Sequence, residues 1–399
     1  MTIMNSYARY PITIVRGEGC YLWDSEGKRY LDFVAGIATC SLGHAHPAII
    51  DAAHQQLKSF HHVSNLYFTT PQVELAKFLV ETSALDQVFF CNSGAEANEA
   101  AIKLVRKYAH TVRCVEEPVI ITAEQSFHGR TLATITATGQ PKYQKGFAPL
   151  MPGFEYVPYN DDEALKKKVA EIGARKLIAI MMEPIQGEGG VRPATASFLE
   201  TARELCDQTG ALLIFDEVQC GNGRSGTLWA YEQYGVVPDI LTTAKGIAGG
   251  IPLGAMLAKN SFSIFEPGDH ATTYGGNPFA TAVGLAVCKI INEPTFLANI
   301  KKCGEMLRER LSKLADKYPE TVQEVRGMGL INGIVLKDSS PLTAPDIVKT
   351  AMAQNLLVLP AGPKVVRLVP PLIITEAQIV EACGVLEKVF STLSTSHKQ

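Results

Sequence analysis

The chain has 399 residues, enough to bury a substantial core and to divide into two or three domains. Hydrophobic residues make up 46% and charged residues 19%, the balance of a globular enzyme, and a formal net charge of −3 leaves no clustered basic excess for nucleic acid or a membrane surface. No apolar run approaches the ~20 residues that a bilayer crossing needs, and the opening MTIMNSYARYP lacks the basic-then-apolar layout of a signal peptide. Nine scattered cysteines without a CxxC pair read as reduced thiols, so a cytoplasmic protein is expected. His44 and His46 have no cysteine or carboxylate set at metal-ligand spacing, and no metal is expected.

From the N-terminus, residues 19–32 read as a hairpin turning at Ser25-Glu26-Gly27, with Leu22 and Trp23 before the turn and Tyr30 and Leu31 after it. The middle of the chain alternates short apolar runs with helical patterns. Strands are predicted at 88–91, 119–122, 177–182, 211–215, 240–243 and 254–258. Near-continuous apolar strands separated by helices predict a mostly parallel sheet covered on both faces. Lys166, Lys167 and Lys168, preceded by Asp161, Asp162 and Glu163, read as a solvated helix face. Toward the C-terminus, 322–336 and 356–374 hold short strands broken by Gly and Pro among helical patterns. The layout is that of an α/β chain: a large domain over 56–289, and a smaller α+β domain formed by 1–55 and 290–399.

Three places in the central part carry chemistry. Phe89-Phe90-Cys91 runs from a strand into Asn92-Ser93-Gly94-Ala95-Glu96, where Ser93 and Glu96 form a capping box. Gly94 and Ala95 leave the first-turn amides open to an anion such as phosphate at the positive end of the helix; a capped helix that binds nothing would carry the same signature. Asp216 ends the 211–215 strand, at the edge where open α/β sheets bind ligands. The pair Asp216-Glu217 would also suit Mg²⁺ beside a P-loop, but no GxxxxGK followed by Ser or Thr occurs in the chain. Lys245 follows the 240–243 strand and precedes Gly246, so it falls at the same edge, where partial burial would lower its pKa and free an amine to attack. Phe127, in Ser126-Phe127-His128-Gly129-Arg130, could stack on a ring or simply fill the core. Thr272 and Thr273 precede Tyr274-Gly275-Gly276-Asn277-Pro278 and could bind phosphate or cap the helix that follows. A lysine that forms a Schiff base, a carboxylate that keeps a pyridine nitrogen protonated and a phosphate cradle are together what pyridoxal phosphate (PLP) requires.

In order along the chain, NSGAEANEAAIKL (92–104), FHGRT (127–131), EPIQGEGGV (183–191), LIFDEVQ (213–219), TTAKG (242–246) and TYGGNP (273–278) resemble the class III aminotransferases of PLP fold type I. The resemblance spans nearly the whole chain, from Gly17-Glu18-Gly19 to Val365-Val366-Arg367. It implies that Lys245 carries PLP as a Schiff base and acts as general base and acid, and that Asp216 pairs with the pyridine nitrogen. It further implies that Phe127 stacks on the ring, that Val218 and Gln219 line its other side and its phenolic oxygen, and that Ser93, Gly94 and Ala95 surround the phosphate. Thr273 would reach that phosphate from the neighbouring subunit, which makes an obligate homodimer with shared active sites.

The family reaction is ping-pong, with 2-oxoglutarate and glutamate as one substrate pair. By the resemblance, Arg130 grips a remote carboxylate, and Thr272 is a further substrate-binding candidate. Arg367, in an apolar strand, needs an anionic partner, and Glu188 is placed to supply one whenever the amine donor does not. Ile37 stands where ornithine aminotransferases carry a tyrosine that contacts the free α-amino group, and an aliphatic side chain favours an N-acylated donor. The expected reaction therefore moves the δ-amino group of N-acetylornithine to 2-oxoglutarate, a step of arginine biosynthesis. N-succinylornithine or another ω-amino acid is the alternative donor, and a PLP aminomutase the alternative class. Cys220 and Ser225 stand where relatives commonly carry threonine. A nicotinamide oxidoreductase is disfavoured because no GxGxxG follows an early strand.

Overall fold

The computed structural model describes residues 2–396. At its centre a seven-stranded sheet runs in the order Gln87–Cys91, Gly254–Ala258, Ile240–Thr243, Leu212–Asp216, Leu177–Met182, Val119–Ala123, Phe154–Val157. All six residues of Leu177–Met182 are buried, which is why the strand needs no polar alternation. Alternate residues of Leu212–Asp216 serve two cores: Leu213 and Phe215 pack with Phe198 and Leu199 of the Ala196–Thr209 helix, while Leu212 and Ile214 pack with Ile102 and Leu104 of the Gly94–Thr111 helix.

The six predicted strands form, with ends shifted by a residue at 87, 123, 212 and 216. Two features differ from expectation. Phe154–Val157 adds an edge strand parallel to Val119–Ala123; its Phe-Glu-Tyr-Val sequence is short, carries a charge and is only partly buried, so it lacks an apolar-run signature. Gly254–Ala258 runs antiparallel to both neighbours. The 244–253 connection is too short to carry a helical crossover, so the chain returns in the opposite direction.

Elsewhere, the expected hairpin pairs Tyr21–Asp24 with Arg29–Asp32, and Asp24 Oδ1 closes its turn by accepting from the amides of Glu26 (3.0 Å) and Lys28 (2.9 Å). Ile14–Glu18 adds a third strand, and Leu356–Leu357 joins parallel to Arg29–Asp32, so early and late parts of the chain share one sheet. A second four-stranded sheet contains Val322–Met328, Ile331–Leu336, Val365–Leu368 and Leu359–Pro360, and the Pro294–Lys317 helix packs on it. Among the described residues no helix is long and apolar enough to cross a membrane.

Candidate active site

Strand ends set the site. Gln87–Cys91, Leu212–Asp216 and Ile240–Thr243 run in the same direction, so Ser93, Asp216 and Lys245 emerge at one edge of the sheet. Ser93 caps the Gly94–Thr111 helix, its hydroxyl accepting from the Glu96 amide at 3.2 Å. The reciprocal half of the expected capping box is corrected by one residue. Glu96 accepts from the backbone amide (2.6 Å) and the side-chain amide (2.9 Å) of Asn92. Gly94 is required by close approach, because a Cβ there would lie 2.5 Å from Val218 Cγ1.

Asp216 is 3% exposed and held from three directions. Its Oδ1 accepts from the Val218 amide (3.0 Å), and its Oδ2 accepts from Asn98 Nδ2 (2.7 Å) and meets His128 Nδ1 (2.8 Å). Asn98 is fixed in turn, donating also to the His128 carbonyl (2.8 Å) and accepting from Thr242 Oγ1 (2.6 Å). Burial opposes a charge on His128, but the Asp216 carboxylate outweighs it and the ring's pKa is raised. Glu183 lies close by and accepts from the Phe127 amide at 3.1 Å; burial pushes its carboxyl up to about 8, with the His128 charge pulling the other way. Glu217, the other half of the expected carboxylate pair, points away from this site and accepts from the Ala230 and Tyr231 amides at 2.6 and 2.7 Å.

Lys245 is partly buried and opens a short 3-10 turn with φ +45°, a left-handed conformation that costs a non-glycine residue on the order of 1–3 kcal/mol. Its neighbours brace it. Asn222 Nδ2 donates to Thr243 Oγ1 (2.7 Å) and to the Ala244 carbonyl (3.3 Å), and Ser41 Oγ donates to the Gly246 carbonyl (2.8 Å). Burial holds the Lys245 ammonium below its ordinary pKa; the Glu188 carboxylate pulls the other way and the Arg367 charge reinforces the burial.

A cavity of ≈ 240 Å³ is lined by Lys245, Asp216, Val218 and Gln219 together with Gly94, Ala95, Phe127 and Arg130. These are eight of the residues singled out from the sequence, drawn from four separate motifs. Ser93 lines an adjoining cavity of ≈ 290 Å³ that shares Gly94 and Lys245 and adds Asn92 and Thr39. At the mouth, the Arg130 guanidinium lies 4.0 Å from the Tyr143 ring centroid and 5.5 Å from that of Phe127. The Phe127 ring meets Tyr143 edge-on, with centroids 5.6 Å apart.

Arg367 is 1% exposed, in the middle of Val365–Leu368. Its Nη1 donates to Glu188 Oε1 (2.6 Å) and to Gln219 Oε1 (2.8 Å), while its Nε has no partner. Burial would raise the Glu188 pKa, but the Arg367 and Lys245 charges outweigh it and hold the carboxylate ionised. Ile37 is 43% exposed and sits on a left-handed turn in which Ala35, Gly36, Ile37 and Ala38 all have φ between +48° and +64°.

Other expected residues lie elsewhere. Thr272 and Thr273 line an open groove with Leu66, Phe68 and Phe89, outside the Lys245 cavity of their own chain. Neither caps the following helix: Asn277 does, accepting from the Ala280 amide. Thr272 Oγ1 instead accepts from Asn92 Nδ2 at 3.2 Å. Cys220 lies outside the cavity lining, its thiol 3.8 Å from the Asp216 carbonyl.

Sequence reasoning missed Asn98, Thr242, His128 and Tyr143. Asn98 carried a usable signal, because it is a polar residue on the otherwise apolar, buried face of the Gly94–Thr111 helix. Thr242 in a buried strand carried a weaker one, and nothing local marked Tyr143.

The class III aminotransferase family model matches residues 2–390. Acetylornithine aminotransferases of Synechocystis sp. and Thermosynechococcus vestitus are 60% and 58% identical to the chain, each alignment covering 98% of it and 92% and 96% of those proteins. Among solved structures, N-acetylornithine aminotransferase from Stenotrophomonas maltophilia is 39% identical, with a TM-score of 0.85 and 98% of each chain covered. Ornithine aminotransferase from Toxoplasma gondii is 30% identical with a TM-score of 0.94, covering 100% of this chain and 94% of its own, and one structure of it shows partial occupancy of PLP at its active site. With a family model spanning nearly every residue and relatives this similar over their full length, the chain belongs to the class III aminotransferases.

Proposed function

We propose that the chain transfers the δ-amino group of N-acetylornithine to 2-oxoglutarate, giving N-acetylglutamate 5-semialdehyde and glutamate, with PLP as its cofactor. The observation that carries this reading is the pair formed by buried Arg367 and partly buried Glu188 beside the Lys245 cavity. A donor that reacts through a terminal amine has no carboxylate next to its reacting carbon, and Glu188 then serves Arg367 as the missing anion. Glutamate brings its own carboxylate, and Glu188 must yield. The aliphatic Ile37 and the acetylornithine aminotransferases at 58–60% identity support the same donor.

The residues fit the cofactor chemically: a partly buried lysine of lowered pKa, a carboxylate aimed by three donors and a helix start whose first residue has no room for a Cβ. Gly94, Ala95 and Ser93 would hold the phosphate, Asp216 the ring nitrogen, and Phe127 and Val218 the two ring faces. When bound, PLP supplies an electron sink for the pair released as a C–H bond next to the amine breaks. Lys245 would take that proton on Nζ and hand it back once the electrons have shifted; desolvation lowers its pKa and so favours the neutral amine that can accept it. Asp216 would stabilise positive charge on the ring nitrogen; Asn98, itself held by Thr242, keeps its carboxylate from turning. Arg130 receives the donor's remote carboxylate, with Tyr143 holding the guanidinium flat.

The reading takes 56–289 as the large cofactor-binding domain and 1–55 with 290–399 as the smaller one, so Ile37 and Arg367 both belong to the second domain. It also takes the active protein as a homodimer, in which the exposed Thr272–Thr273 turn reaches the partner subunit's phosphate site. A half-reaction tests the substrate. Loss of the cofactor's visible absorbance is followed with N-acetylornithine, N-succinylornithine, ornithine and 4-aminobutyrate in turn. N-acetylornithine should react fastest, and no reaction with either acylated ornithine would overturn the reading.

A further inference from the structure

Residues 34–38 are an energetic oddity with a visible restraint. Three non-glycine residues, Ala35, Ile37 and Ala38, share left-handed φ values with Gly36 in one turn, which L-residues do not hold unaided. The turn closes on itself through Ala38 N–H to the Val34 carbonyl (3.0 Å) and Thr39 N–H to the Ala35 carbonyl (2.8 Å). Its entry is gripped by Asp32, whose Oδ1 accepts from the amides of Val34 (2.8 Å) and Ala35 (2.9 Å). Asp32 is 1% exposed, and its Oδ2 is tied to His44 Nε2 at 2.8 Å. His44 is held in turn. Its backbone exchanges both hydrogen bonds with Gly19 (2.9 and 2.8 Å), and its ring packs where a Cβ on Gly17 would lie 2.8 Å from Cγ. At its exit the turn touches the catalytic lysine's own turn, Ser41 Oγ donating to the Gly246 carbonyl at 2.8 Å.

We infer that Asp32 is a positioning residue for substrate selection: its carboxylate, clasped by His44, holds the left-handed turn that presents Ile37 to the donor and braces the Lys245 turn through Ser41. The donor side of this inference rests on the reading of Ile37 proposed above. Asp32 touches no substrate; it acts through the turn. Losing the clasp therefore leaves Ile37 free to leave its position and blurs the distinction between an acylated and a free α-amino group.

The test measures two quantities on the holoenzyme: hydrogen exchange over residues 33–41, and the ratio of kcat/KM for N-acetylornithine to that for ornithine. Asp32→Ala should speed exchange at least about tenfold and lower the ratio at least about fivefold, chiefly through KM. Asp32→Asn retains a carbonyl to accept both amides and an NH₂ to donate to neutral His44, so it should restore the ratio to within about twofold of wild type. Gly36→Ala, whose Cβ would lie 2.4 Å from Thr39 Oγ1, should disturb the ratio without touching Asp32, and stands in if Asp32→Ala does not fold. Tyr30→Phe removes a buried hydrogen bond to Asp24 (2.8 Å) in the same sheet and should lower stability while leaving the ratio alone. An unchanged ratio in folded Asp32→Ala, or in Gly36→Ala where Asp32→Ala does not fold, or an equal change in Tyr30→Phe, overturns the inference. If the wild type itself rejects acylated ornithines, the substrate reading falls, and exchange over 33–41 still decides whether the clasp exists.

Discussion

Replacing Glu188 by Gln leaves the Arg367 guanidinium buried with neutral partners only. In the native arrangement Nη1 has one charged acceptor at 2.6 Å and one amide oxygen at 2.8 Å, and Nε has none. Removing one member of a buried ion pair costs about 3–5 kcal/mol. The Glu188 side chain is 21% exposed and Gln keeps a carbonyl acceptor, so about 2–3 kcal/mol is a better figure here. The loss falls unequally on the two donors. Glutamate brings a carboxylate to Arg367 and no longer has to displace Glu188, whereas N-acetylornithine finds an unmasked cation that also competes for its remote carboxylate. At 1.36 kcal/mol per decade, the preference for N-acetylornithine over glutamate should fall roughly 30- to 150-fold. Single-turnover half-reactions with each amine read this directly, as rates of loss of the cofactor's visible absorbance. A Glu188→Gln enzyme with an unchanged ratio would refute the masking argument, whatever its absolute rates.

Gly94→Ala should destabilise the protein by about 1–3 kcal/mol in thermal melts, because its Cβ meets Val218 at 2.5 Å, and Val218→Ala in the same chain should recover most of that loss. Asn98→Ala strips a donor from Asp216 and orphans the Thr242 hydroxyl; denaturant unfolding should show a loss of about 2–3 kcal/mol, and Thr242→Val added to it should cost little more. His44 gives a pH signature. Its hydrogen bonds to the Asp32 carboxylate first and the Cys40 sulfur second raise its pKa from 6.5 to about 9. Because the folded value lies above the unfolded one, this stabilisation is complete below pH 6.5 and is lost as pH rises through about 9. The full shift corresponds to about 3 kcal/mol, reduced by solvent screening to about 1–2 kcal/mol. Melting temperature should therefore drop between pH 7 and 10 in the wild type more steeply than in His44→Gln, and parallel curves would remove His44 as the cause.

Much of this enzyme is written in local chemistry. Strands such as Leu177–Met182 are legible because a strand buried on both faces must be apolar at every position. Ser93, Asp216 and Lys245 are legible because each follows such a strand, and a parallel sheet gathers its strand ends at one edge whatever the details of packing. Motif order then identifies the family. What the sequence leaves open is everything that depends on which distant groups meet. The reversal of Gly254–Ala258 follows from a short connection, and the Phe154–Val157 strand has too little apolar surface to announce itself. The second layer of the site is the clearest case. Asn98, Thr242 and His128 look like an odd polar residue on a helix, a threonine in a strand and a histidine in a loop. Only folding sets Asn98 and His128 on Asp216 and Thr242 behind Asn98. The same holds for the Arg367–Glu188 pair, 179 residues apart, and in part for the left-handed turn at Ala35–Ala38, which propensity disfavours: Asp32 grips it locally, but His44 holds Asp32 and Gly246 receives Ser41 only in the folded chain. A sequence states what each residue prefers; where those preferences are overruled, long-range contacts do the overruling, and here that is where substrate choice is proposed to reside.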